Sequence, residues 1–122
     1  MESKAATQEK TTFREVYVFD MEIVQNIFIQ NIREKGEDKM LFGMPFLLCE
    51  KDNEINSFAS LILDENNEIG FRIYDNGNLT NEDKTAFYKY IENFLTKKKS
   101  ANFSNAEQLK KSTEHFIHYL NF

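Results

Sequence analysis

Three apolar runs separated by two short polar loops constrain this chain more than any other feature. The runs are FLLCE (46–50), INSFASLIL (55–63) and EIGFRIY (68–74), and the loops are EKDNE (50–54) and LDENNE (63–68). Asp- and Asn-rich segments of that length make hairpin turns, because their side chains bond the local backbone and tolerate a left-handed conformation. Short connections force antiparallel neighbours, so the runs predict a three-stranded antiparallel meander. FLLCE is apolar at every position up to Glu50, as expected of a strand covered on both faces. EIGFRIY alternates, with Ile69, Phe71 and Ile73 on one face and Glu68, Gly70 and Arg72 on the other.

The flanks read as helices. Thr12 and Glu15 form a T-x-x-E capping box. Phe13, Tyr17, Met21, Val24, Phe28 and Ile32 then recur at steps of three and four, with Val16, Ile23 and Ile27 widening the stripe. Gly36 follows as a helix-stop glycine. One helix over 13–35 satisfies this pattern. The rival is a strand over REVYVF (14–19) with a helix from Asp20, supported by the β-branched and aromatic content. After the meander, Thr80 and Asp83 open a second helix with Phe87, Ile91, Phe94 and Leu95 on its buried stripe. Ser104 and Glu107 open a third, carrying Leu109, Phe116, Ile117 and Leu120. Lys97, Lys98 and Lys99 end the second helix, where cations offset its dipole.

The expected architecture is therefore α+β: an N-terminal helix, a three-stranded meander, and two C-terminal helices packed on one face of the sheet. Residues 1–11 form a flexible N-terminal segment, and 12–122 form a single α+β domain. At 122 residues such a domain can bury a core without staples. The 12 phenylalanines are its natural filling.

Composition narrows the function classes. Cys49 is the only cysteine, which excludes an internal disulfide and reads as a small buried hydrophobe. The polar start MESKAATQEKTT has no signal-peptide core. The longest apolar run, MLFGMPFLLC, is half of what a membrane span needs and holds Gly43 and Pro45. The expectation is a cytoplasmic protein with no membrane association. Net charge is −5, unevenly placed: residues 1–83 carry 8 basic and 17 acidic side chains, and residues 84–122 carry 7 and 3. The basic end (Lys84, Lys89, Lys97 to Lys99, Lys110, Lys111, with Tyr88 and Phe103 as stackers) would be the nucleic-acid surface, but the acidic total argues against nucleic acid.

The densest polar stretch, IYDNGNLTNEDK (73–84), invites a calcium-loop reading. With Gly77 as the loop glycine, position 1 is Arg72 and position 3 is Tyr74, where carboxylate or amide ligands are required. The stretch instead reads as a strand end, an Asn76-Gly77 turn, and a helix capped by Thr80. His115 and His118 share a helix face, with Glu114 nearby, but H-x-x-H without further ligands gives no metal site. No G-x-S-x-G, P-loop or G-x-G-x-x-G occurs, so no catalytic residue, metal or cofactor is assigned.

KMLFGMPF (39–46) is the segment least explained by folding. Gly43 and Pro45 argue against regular structure over Met40 to Met44. Met40, Leu41, Phe42 and Met44 would then be large apolar groups on an irregular segment, the composition of an interaction surface. The competing reading folds them back into the core. The expected function is a small acidic, non-catalytic protein-binding module of the inhibitor, immunity-protein or chaperone kind. Its partner is another protein, with a homodimer left open. Type III secretion chaperones and toxin-immunity proteins share the layout, and that likeness transfers no residue. The alternative is a small-ligand binder with a pocket between sheet and helices.

Overall fold

The computed structural model describes residues 10–32, 39–97 and 105–120. Strand β1 (Thr11–Glu15) is followed by a 3-10 turn, Val18–Asp20, and helix α1 (Met21–Ile32). A second 3-10 turn, Lys39–Phe42, leads into β2 (Met44–Lys51), β3 (Glu54–Leu63) and β4 (Ile69–Asp75). Helices α2 (Asn81–Lys97) and α3 (Ala106–Leu120) complete the chain. The sheet has four antiparallel strands in the order β1-β2-β3-β4.

The α+β class and the meander agree with the sequence reading. Asp52 and Asn53 form the two-residue turn between β2 and β3, both at positive φ (55° and 69°), the geometry that matches the twist of paired strands. The N-terminal helix over 13–35 is corrected. Thr12 and Glu15, read as a capping box, lie on β1, where Phe13 pairs with Cys49 and Arg14 with Leu48. The reason is that Thr11, Thr12 and Phe13 suit a strand and find an unpaired edge of β2 beside them. The strand-then-helix alternative was the nearer one, with the helix beginning at Met21. Gly36, Lys98, Lys99, Phe103 and Ser104 lie outside the described residues. At the start of α3 it is Asn105 whose side chain accepts from Gln108 N, at 3.0 Å.

The helices do not share one face, which is a second correction. Phe87 and Ile91 of α2 pack with Leu47, Cys49, Ala59 and Leu61, and with Phe13, Phe71 and Ile73. Val24, Ile27 and Phe28 of α1 pack on the opposite face, with Leu48, Phe58 and Tyr74. Helix α3 joins both layers: Leu109 belongs to the first cluster, and Phe116, Ile117 and Leu120 border the second. Both faces of β2 and β3 are thus covered, which is why FLLCE carries no polar alternation. Among the described residues no helix is long and apolar enough to cross a membrane.

Candidate functional site

The connection from β1 to α1 is built around one buried carboxylate. Asp20 is only 3% exposed. Its two oxygens accept from Arg14, Nη1 at 2.9 Å and Nη2 at 3.0 Å, and one also accepts Tyr17 N at 2.8 Å. Arg14 reaches further, donating to Glu50 Oε2 on β2 at 3.2 Å and to its neighbour's carbonyl, Glu15 O, at 3.0 Å. The guanidinium bond holds the Asp20 carboxyl below the usual carboxylate range, while Asp20 and Glu50 raise the Arg14 pKa. A carboxylate with that many donors stays ionised despite its burial. A bidentate arginine is also the geometry that fixes direction as well as charge.

This clamp turns the chain through a tight corner, closed by Asp20 N donating to Tyr17 O at 2.9 Å. The side chains between the anchors point outward. Val18 is 81% exposed and Phe19 is 78% exposed, and Tyr17 and Ile23 are also open to solvent. The Tyr17 and Phe19 rings lie 5.6 Å apart, and Arg14 sits over the Tyr17 ring at 5.5 Å. Exposed Glu15 and Glu22 stand on either side of the corner in sequence. Single exposed hydrophobics need no explanation, whereas here four lie close together in sequence on one connection.

The residues selected from sequence, Met40, Leu41, Phe42 and Met44, fall elsewhere. Phe42 is fully buried. Its ring meets Phe28 edge-on at 5.1 Å and lies 5.9 Å from Phe58 and 6.1 Å from Phe116. Met40, Leu41 and Met44 are half-buried, and Met44 packs against the α2 side of the core. The segment is a 3-10 turn followed by a strand, so the expectation of irregular backbone is corrected. Gly43 makes this fold-back feasible. Its φ is +64°, and a Cβ there would lie 2.1 Å from Leu61 O. Pro45 is accommodated because the β2–β3 register shifts between Pro45 and Leu47, a bulge that relaxes the demand for a ladder hydrogen bond. Tyr74 donates its hydroxyl to Leu41 O, which anchors the turn from below.

The polar stretch at 73–84 does what the turn reading requires. Asp75 Oδ1 accepts Gly77 N at 2.7 Å, Asn76 Oδ1 accepts Asn78 N at 3.0 Å, and Thr80 Oγ1 accepts Asp83 N at 3.0 Å. Asp83 also accepts from Lys51 Nζ at 2.8 Å and Thr11 Oγ1 at 3.2 Å, tying α2 to the sheet. The Lys51 bond keeps its carboxyl below the usual range. Among the described residues no group of three or more His, Cys, Asp and Glu is placed to hold a metal ion. His115 and His118 are both exposed on α3. Cys49 is buried, and burial pushes its thiol up to about 11, far from a nucleophile's value.

Between sheet and helices, aromatic rings fill the space. Phe13 stacks on Phe87 at 5.3 Å, Phe46 meets Phe94 at 5.8 Å, and Phe28 meets Tyr74 edge-on at 5.3 Å. An open polar hollow of about 450 Å³ lies at the β2–β3 turn, lined by Lys51, Asp52, Glu54, Asn56 and Asn78.

The Tyr17–Phe19 corner was not singled out from sequence: Tyr17 fitted the helical stripe, and Val18 and Phe19 lay within the span of the helix over 13–35 or of the rival strand over 14–19. The signal that could have found it is Asp20, an N-cap residue type directly before the periodic positions of α1. No family model, curated protein or solved structure matches this chain.

Proposed function

We propose that this chain is a non-catalytic protein-binding module, of the inhibitor, immunity-protein or chaperone kind, and that it engages its partner through the Tyr17–Ile23 corner. The observation that carries this reading is the exposure of Val18 and Phe19 over a fully bonded Arg14–Asp20–Glu50 clamp. The clamp makes the backbone rigid, so little ordering entropy is lost when the corner is covered. Aromatic side chains on rigid backbone are the usual energetic anchors of an interface. The partner that fits has an apolar recess for Phe19 and a basic rim facing Glu15 and Glu22.

The test compares wild-type protein with V18S/F19S as baits in the native host, with mass spectrometry of what is retained. Burying a Phe side chain contributes roughly 1.5–3 kcal/mol, so the double variant should weaken binding by at least tenfold. One stoichiometric protein held by wild type and lost by the variant, at unchanged melting temperature, is the expected result. Equal retention by both removes the corner from the interface.

A small-ligand reading draws its support from the polar hollow at the β2–β3 turn. A metabolite retained in place of a protein, and lost on changing Lys51 or Asn78, would favour it.

A further inference from the structure

The β1 edge of the sheet directs part of its backbone hydrogen-bonding groups away from β2. Val16 N donates to Phe46 O and Asp52 N donates to Lys10 O, so Lys10, Thr12, Arg14 and Val16 direct their backbone toward β2. By the two-residue alternation of an antiparallel strand, Thr11, Phe13 and Glu15 direct theirs outward. Among the described residues only Glu15 O meets a donor there, Arg14 Nη1 at 3.0 Å. An open strand edge is a template for another strand.

We propose that this edge pairs with the same strand of a second copy, antiparallel about a two-fold axis at Phe13, joining two four-stranded sheets into one. Two observations select the second copy as occupant. The first is register. Centring the pair on Phe13 sets Thr11 against Glu15 and Thr12 against Arg14 of the other chain, so no like charges oppose. All three outward-facing residues then find partners. The second is what lies at the axis. Phe13 is half-buried, and beside it stands the exposed ring of Tyr90, 5.1 Å away on α2. A two-fold axis there brings both Phe13–Tyr90 pairs together and covers them. The Tyr17–Ile23 corner lies beyond the end of β1; the two proposals meet at Glu15, whose backbone serves this pairing and whose side chain faces the corner's partner, and sedimentation of the isolated chain reads the pairing alone.

The experiment is sedimentation equilibrium of the full chain across a micromolar to submillimolar series, with four variants. Glu15→Pro removes an outward N–H from an exposed edge residue, where the ladder to β2 makes no use of it. Tyr90→Asp places two carboxylates beside the axis. Glu15→Gln and Tyr90→Phe leave the pairing groups in place. Circular dichroism and melting curves check that each variant is folded. Wild type, Glu15→Gln and Tyr90→Phe should dimerise, while Glu15→Pro and Tyr90→Asp raise the dissociation constant by about tenfold or more, since each change acts twice across the axis. A wild type that stays monomeric through the series overturns the proposal. So does a dimer that survives both disruptive variants.

Discussion

Replacing Phe42 by alanine separates a core residue from a contact residue more sharply than any other single change. The ring is fully buried where α1, β3, α3 and the 3-10 turn meet, in contact with Phe28, Phe58 and Phe116. Burying a phenylalanine side chain contributes roughly 1.5–3 kcal/mol in transfer free energy alone. The cavity left behind adds to this, and Phe-to-Ala substitutions in packed cores cost about 3–5 kcal/mol. For a chain of this length each kcal/mol moves the melting temperature by about 3–5 °C, and the midpoint should fall by about 10–20 °C. Thermal melting followed by far-UV circular dichroism, with urea titration at 25 °C as a cross-check, measures this directly. Loss of affinity for a captured partner at an unchanged melting temperature would refute the placement of Phe42 and return the 39–46 segment to the surface.

Acid should unfold the protein through its two bonded carboxylates. Asp20 and Asp83 have folded-state pKa values below their unfolded values, so their stabilisation is present above about pH 4 and is lost as pH falls through the folded values. In urea midpoints taken from pH 7 to pH 2, Asp20→Asn should flatten the acid limb, and an unchanged slope would contradict the clamp. Two glycines should behave differently: Gly43→Ala meets Leu61 O and should cost more than about 2 kcal/mol, whereas Gly77→Ala, at φ +92° with open space around it, should cost about 1 kcal/mol. Comparable losses in chemical denaturation would count against the fold-back at Gly43. Ser57 and Ser60 are buried on β3 with hydroxyls that have no hydrogen-bond partner among the described residues. Alanine at either should be neutral or stabilising by up to about 1 kcal/mol, because a desolvated hydroxyl is removed. A marked loss of stability would mean that the hydroxyl is bonded after all.

What could be read from the sequence follows the range of the interactions involved. The meander was legible because Asp52-Asn53 and the loop after Leu63 turn the chain by local rules, and Thr80 caps α2 by a bond within its own first turn. β1 was not, because its identity comes from pairing with residues more than thirty positions away, such as Cys49. Locally, Phe13, Tyr17 and Met21 satisfy a helical period equally well, and only the presence of an open β2 edge decides against it. Phe42 was hidden for a related reason. Gly43 and Pro45 do break regular structure, yet the break is a fold-back that turns the ring inward. The distance from Gly43 to Leu61 O is a tertiary fact. The Arg14–Asp20–Glu50 group joins three elements, and nothing in the spacing of those residues announces it.

The same clamp explains why the exposed corner is informative. A tight connection between a strand and a helix needs a cap and a bend, and Asp20 supplies both by bonding Tyr17 N and Arg14. Nothing in that geometry asks for valine and phenylalanine between the anchors, since serine or asparagine would turn the chain as well and stay hydrated. Leaving Phe19 in water forgoes the roughly 1.5–3 kcal/mol that its burial would contribute. Phe42, Phe58 and Phe87 show that this chain buries phenylalanine completely where folding alone sets the demand. Val18→Ser with Phe19→Ser should therefore leave the melting temperature within the small range expected of surface changes, about 0.5 kcal/mol in stability. A larger fall would place the two side chains in the service of the fold and take the corner's exposure away as an argument for a partner.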